Sequence, residues 1–321
     1  MSEFSLIQTY FDWPDAPGSV ALGVGDDAAL LTLTAHEQLV VSVDTLVSGV
    51  HFPEQTPAHA IGHKALAVNL SDLAAMGATP RWFTLALTLP RADDTWLSGF
   101  STGLSALARR HGIHLVGGDT TLGPLSITIQ VMGTLPAGEA LLRSGARVDD
   151  LIFVTGTLGA AAAGLALIRQ RLVLPETVQA ACLQALNYPT PRVEAGQHLR
   201  RLASSCMDLS DGLLGDIRHI LTRSGTGASL QQQAIPAHPA LTGLPRAEIL
   251  RLALSGGDDY ELLFTLPPER LPQLQELQAM VELPALTPIG IMTADTGHLI
   301  LDFPLSALGQ AWEHFQNESA K

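Results

Sequence analysis

The stretch AVNLSDLAAMGA, residues 67–78, carries the first strong structural signal in the chain. Upstream, Thr56-Pro57 offers an N-cap followed by proline at the first helical position, and Gly77 offers a stop. The spacing therefore predicts a helix from about residue 57 to Met76. From Leu66 to Met76 it is Leu, Ala or Val almost all round, with Asn69, Ser71 and Asp72 as the polar exceptions. A helix apolar on every side is expected to be buried, and Asp72 with it. A buried carboxylate needs a partner or a cation. Lysine occurs only at Lys64 and Lys321, so a metal ion is the economical partner.

Outward from this helix, strands and helices alternate. Residues 3–11 read as a short amphipathic helix and Gln38–Val43 as a β-rich run that ends in Asp44. Strands are expected at 83–89, 113–116 and 125–134, with a helix at 94–110. After a Gly-rich, charged loop at 136–150, the pattern predicts strands at 151–154, 205–208, 260–265 and 299–303. Helices are expected from Gly159, near 192–203 and from Asp211. This gives an α/β (α+β) class in two domains, residues 1–137 and 148–321. Gly-Asp-Asp occurs at 25–27 and again at 257–259, which hints at related halves without establishing a repeat.

Carboxylates recur at the ends of apolar runs: GVGDDAALL (23–31), VVSVDTLVSGVHF (40–52), VGGDTT (116–121), MDLSDGLLGD (207–216) and SGGDDYELLF (255–264). Any one of them reads equally as a turn or a cap. The Asp208-Leu209-Ser210-Asp211-Gly212 run resists that reading. It follows a short strand and opens a helix, whose N-terminus favours phosphate, and its acids can hold Mg²⁺ carrying that phosphate. Gly117-Gly118-Asp119-Thr120, expected as a turn after a strand, would let backbone N–H groups approach a phosphate. Arg143 could clamp phosphate oxygens in bidentate fashion.

The net charge is −13, from 18 basic and 31 acidic residues, which argues against nucleic acid as a partner. The same charge repels ATP unless divalent cations intervene. The longest uncharged apolar run, Leu158–Ile168, is 11 residues, too short to cross a bilayer. No signal peptide is visible, and Cys182 and Cys206 read as two buried thiols of a cytoplasmic protein, with a disulfide as the alternative. There is no G-x-x-x-x-G-K-[ST], no protein-kinase H-R-D or D-F-G set, no G-x-S-x-G and no HExxH.

NLSDLAAMGA, GGDTT, DLSDGL and SGGDDYEL, in this order, resemble the thiamine-monophosphate kinase family of the aminoimidazole-ribonucleotide-synthetase-like superfamily. The likeness runs from Glu3-Phe4-Ser5 to Trp312-Glu313-His314-Phe315. It implies an N-terminal α/β domain that dimerises and builds an ATP site, followed by a C-terminal α/β domain. It implies a cytoplasmic homodimer using ATP, several Mg²⁺ ions and thiamine monophosphate. By the same resemblance, metal ligands would be Asp27, Ser42, Asp44, Asp72, Asp119, Asp208 and Asp211. ATP contacts would be Gly118, Asp119, Arg143 and Ser210; substrate contacts would be His51, Asp258 and Trp312. One departure stands out: the family usually has Glu where this chain has Asp258.

The chemistry so implied is direct in-line transfer to a phosphate oxygen, with neither a covalent nucleophile nor a general base. Two other readings are open. One is a different ATP-dependent synthetase of the superfamily; the first 181 residues hold no Cys, and the chain ends Asn317-Glu318-Ser319-Ala320-Lys321 without one. The other is a non-catalytic divalent-cation binder, which leaves Arg143 and the Gly-Gly pair unexplained.

Overall fold

The computed structural model describes residues 3–13, 17–24 and 28–302. Two compact units are present: residues 1–73 with 78–140, and residues 74–77 with 141–321.

The first unit contains α1 (Glu3–Tyr10), β1 (Val20–Leu22), β2 (Leu30–Leu31), β3 (Glu37–Val47), α2 (Ala58–Ala75), β4 (Thr79–Leu89), α3 (Asp94–His111), β5 (His114–Leu122) and β6 (Ser126–Pro136). Its larger sheet has the order β3-β6-β4-β5. β3 and β6 run antiparallel with Glu37 opposite Pro136 and Val47 opposite Ser126, while β4 and β5 are parallel. The two faces differ because side chains alternate along each strand. Ile127, Ile129 and Val131 of β6 are buried on one face. Leu39, Val41 and Val43 of β3 point the other way and are 44%, 48% and 58% exposed.

Helix α3 starts where Asp93 accepts hydrogen bonds from the N–H groups of Thr95 and Trp96, and stops at Gly112 in the left-handed region. α2 matches its expected span within two residues and is built almost wholly of buried side chains. The two helices approach closely through a reciprocal pair of glycines. A Cβ on Gly62 would sit 2.1 Å from the Phe100 carbonyl oxygen, and one on Gly103 2.0 Å from that of His59.

Residues 137–150 form neither helix nor strand. The second unit then comprises β7 (Leu151–Thr155), α4 (Ala160–Ile168), α5 (Glu176–Asn187), α6 (Val193–Leu199), β8 (Ser205–Asp208), α7 (Leu213–Ser224), β9 (Gly227–Leu230), α8 (Arg246–Ser255), β10 (Leu262–Leu266), α9 (Leu271–Met280), β11 (Leu286–Thr293) and β12 (Leu299–Leu301). Its sheet has the order β12-β9-β11-β7-β10-β8, antiparallel except where β12 joins β9. Ile152, Val154, Met207, Ile217, Ile220 and Leu263 are among the side chains that form its core. Each contributes about 1.5–3 kcal/mol by leaving water. Cys182 and Cys206 are buried and unbridged. Among the described residues, no helix is long and apolar enough to cross a membrane.

Gly103→Ala is expected to cost about 2–3 kcal/mol, because a backbone carbonyl cannot yield as a flexible side chain can. Denaturant titration of the variant beside the parent protein measures it.

Candidate active site

The first unit brings α2 against β3 through the polar residues of its otherwise apolar surface. Ser42 Oγ donates to Asp72 Oδ2 at 2.5 Å, and the Asp44 N–H donates to Asn69 Oδ1 at 3.1 Å. Asn69 Nδ2 in turn donates to the Ala65 carbonyl, which fixes the orientation of the amide. Asn69 is fully buried and holds the strand where Asp44 sits. It was legible as a polar exception but not as a site residue. Asp72 is half-buried, not enclosed as the all-apolar helix suggested. The rim of α2 that meets β3 leaves its carboxylate partly open. His51 lies in the turn after β3, where its Nδ1 accepts the Val47 N–H at 2.9 Å. The ring proton of neutral His51 is therefore on Nε2.

Gly117, Gly118 and Asp119 are not in a turn. β5 continues through them to Leu122, and a shift in register between Phe83 and Thr84 leaves Val116 as the extra residue on β5. A Cβ on Gly118 would lie 1.9 Å from the Leu85 carbonyl oxygen, so pairing with β4 already demands glycine there. The pairing runs Thr45–Thr128–Ala86–Asp119 across the sheet and puts Asp119, which is exposed, in register with Thr45. Asp44 is one residue away from that row.

In the second unit, β8 delivers Asp208 to the end of a strand, 5% exposed. The following turn is organised by a residue further along α7. Asp216 Oδ2 accepts the N–H groups of Ser210, Asp211 and Gly212 at 3.0, 3.1 and 3.2 Å. The N–H groups of the turn before α7 thus meet a carboxylate of its own chain. Burial, then the charges of Asp211 and Asp208, push the Asp216 carboxyl up to about 8, against the pull of the N–H groups of Asp211 and Gly212. Asp216 stands within the quoted MDLSDGLLGD stretch, yet spacing alone gave no sign of its role.

The loop 256–261 zips onto this turn. The Asp258 N–H donates to the Ser210 carbonyl, the Tyr260 N–H to that of Leu209, and the Leu209 N–H to that of Glu261. Tyr260 Oη donates to Asp258 Oδ1 at 3.1 Å. Asp259 accepts the Gly159 N–H at 2.9 Å, and burial holds its carboxyl well above the usual carboxylate range. Arg143 is exposed, in the segment before β7. Ser224 Oγ donates to its carbonyl and accepts the Ala146 N–H. A cavity of about 430 Å³ is lined there by Arg143, Ser144, His219 and Arg223, with Met76 and Leu142. Asp27 and Trp312 lie outside the described residues.

Among the described residues, no three of His, Cys, Asp and Glu gather tightly enough to hold a metal ion alone. The donors present still fit magnesium. They are hard oxygens, placed in small groups beside one another, and in the second unit burial first, then the charges of Asp211 and Asp208, raises the Asp216 carboxyl. Mg²⁺ commonly takes one or two carboxylates and completes its shell with water and substrate phosphates.

Over 98% of both chains, the sequence is 48% identical to a thiamine-monophosphate kinase of Salmonella typhimurium. The chain belongs to the thiamine-monophosphate kinase family. A Bacillus subtilis member is 35% identical over 92% of this chain and 93% of its own. The family model described as AIR synthase related protein, N-terminal domain, matches residues 25–135. Among solved structures, thiamine-monophosphate kinase from Stenotrophomonas maltophilia superposes with a TM-score of 0.86 at 45% identity, covering 94% of this chain and 97% of that one. AaThiL complexed with AMPPCP and TMP superposes with a TM-score of 0.77 at 29% identity, covering 97% and 96%.

Asp216→Ala leaves three N–H groups without their acceptor. Its unfolding free energy is expected to drop by about 2–4 kcal/mol, read from chemical denaturation in metal-free buffer.

Proposed function

We infer that this chain transfers the γ-phosphate of ATP to thiamine monophosphate, giving thiamine diphosphate and ADP, as a step in thiamine diphosphate biosynthesis. The observation that carries this is the likeness over nearly the whole chain to thiamine-monophosphate kinases, one of them solved with AMPPCP and TMP. We assign residues 1–137 to an ATP- and metal-binding, dimerising domain. Residues 148–321 form a domain that adds metal and substrate residues.

The acceptor phosphate monoester has a second pKa of about 6, so it is already ionised at neutral pH and needs no base. What the chain must do is hold two anions in line against their repulsion. Asp27, Ser42, Asp44, Asp72 and Asp119 of the first domain, with Asp208 and Asp211 of the second, would hold Mg²⁺. Bound there, magnesium supplies the positive charge that neutralises the phosphates. Gly118, Asp119, Arg143 and Ser210 hold ATP. The Arg143 guanidinium can grip two phosphate oxygens, and the Ser224 bond to its carbonyl fixes where it starts from. His51 presents Nε2–H to the substrate phosphate side, while Asp258 and Trp312 take the thiamine side. Asp258 is one methylene shorter than the usual Glu, and the main-chain zip at Ser210 sets how far it reaches.

The decisive assay supplies thiamine monophosphate, ATP and Mg²⁺ and quantifies thiamine diphosphate and ADP. ATP consumption without thiamine diphosphate would reassign the acceptor. Metal-stripped protein in excess EDTA is expected to be inactive. Asp72→Asn should lose at least about 100-fold in turnover, equivalent to ~2.7 kcal/mol, with its melting temperature kept. Full turnover in EDTA would remove the metal assignment.

The protein acts as a cytoplasmic homodimer in this reading. The exposed Leu39, Val41 and Val43 stripe on β3 supports a second copy as its cover. Light scattering is expected to give the mass of a dimer, and Val43→Asp that of a monomer. An unchanged dimer in Val43→Asp would exclude this stripe as the contact.

A further inference from the structure

The segment Asp258–Glu261 combines two features that require an external anchor. Asp258 and Tyr260 both have positive φ, 68° and 51°, a region that side-chain-bearing residues rarely adopt. Such backbone persists only where its surroundings over-determine it. Main-chain bonds to the 209–211 turn tie the segment on one side. On the other side stands Glu261, 5% exposed.

Both oxygens of Glu261 are engaged. Arg192, the residue before α6, donates from Nη2 to Oε1 at 2.5 Å and from Nε to Oε2 at 2.6 Å. Thr155 Oγ1, at the end of β7, donates to Oε2 at 2.6 Å while accepting the Leu262 N–H. The carboxylate lies directly over Gly156, where a Cβ would come within 2.1 Å of Oε1. Space, charge and geometry are thus all committed to one orientation of one side chain, three residues after Asp258.

We propose that Arg192 is a positioning residue for the acceptor substrate, acting through Glu261 on the backbone that aims Asp258. The inference rests on the reading of Asp258 as a thiamine-side contact. It goes beyond that reading by naming what sets its aim. The fork of Arg192 is the specific requirement: a lysine keeps the charge beside Glu261 but cannot make two parallel bonds. The ATP-side residues of this unit have an anchor of their own, because Asp216 holds the 210–212 turn. Loosening Arg192 should therefore disturb one substrate and spare the other.

The test is steady-state kinetics on Arg192→Lys, Asp258→Ala and the double variant, with melting temperatures for all three. Arg192→Lys is expected to raise KM for thiamine monophosphate by about tenfold, with KM for ATP within about twofold. The two substitutions should be non-additive, the lysine adding little once Asp258 is gone. For Arg192→Ala, millimolar guanidinium should restore much of the lost KM. Three results would overturn the proposal: an unchanged KM for thiamine monophosphate with a lowered melting temperature, an equal rise in both KM values, or full additivity with Asp258→Ala. If Asp258→Ala itself leaves that KM unchanged, the substrate reading of Asp258 fails first and the proposal goes with it. A silent Arg192→Lys beside an impaired Asp258→Ala sinks the proposal alone.

Discussion

Three backbone N–H groups converge on a single carboxylate oxygen, Asp216 Oδ2, at the start of α7. Without that acceptor the three donors of the 210–212 turn would lose their shared partner, and the bond from the Asp258 N–H to the Ser210 carbonyl would be left to hold the turn from the other side. Ser210 and Asp211 owe their positions to this turn. So does the 256–261 segment, whose ladder of main-chain bonds is built on residues 209 and 210. The arrangement buries the Asp216 carboxyl beside Asp211 and Asp208, and that burial, ahead of their charges, raises its pKa.

The first unit reaches a similar end by another route. Its acids are spread along a strand and a helix, and Asn69 joins the two elements. Because Asn69 is neutral, the α2–β3 contact does not add to the charge that Asp44 and Asp72 already bring. Asn69 and Asp72 of α2 both meet the strand, Asn69 through the Asp44 N–H and Asp72 through the Ser42 hydroxyl.

Much of this was legible in the sequence. The span of α2 followed from Thr56-Pro57 and Gly77, because those signals are local. The family followed from long motifs in order. Other elements were hidden for identifiable reasons. Gly117-Gly118 reads as a turn, but strand pairing with β4 extends β5 through it, and tertiary contact overrides local preference. β11 contains Pro288 and Gly290, residues that argue against a strand, and they fall where its pairing with β7 shifts register. No side chain caps the N-termini of α5, α8 and α9, and the Thr56 hydroxyl, expected to cap α2, makes no hydrogen bond. Burial of Asp72 was overestimated because periodicity describes the helix alone and cannot report a neighbouring strand that stops short of covering it. Asp216 and Arg192 were invisible as anchors, since their partners are set by folding and not by spacing.

Helix α7 has a consequence beyond its place in the core. Its 12 residues, from Leu213 to Ser224, make a rod of about 18 Å. One end is fixed by Asp216 to the Ser210 turn, and the other by Ser224 to the Arg143 segment. The helix is therefore a gauge block, and its length sets the distance between the Ser210 turn and the Arg143 segment. Gaining or losing one residue would change that distance by only about 1.5 Å, but it would rotate Ser224 by about 100° around the axis. Asp216 and Ser224 apart, side chains on this helix are free to vary with the core they fill. Its residue count is not.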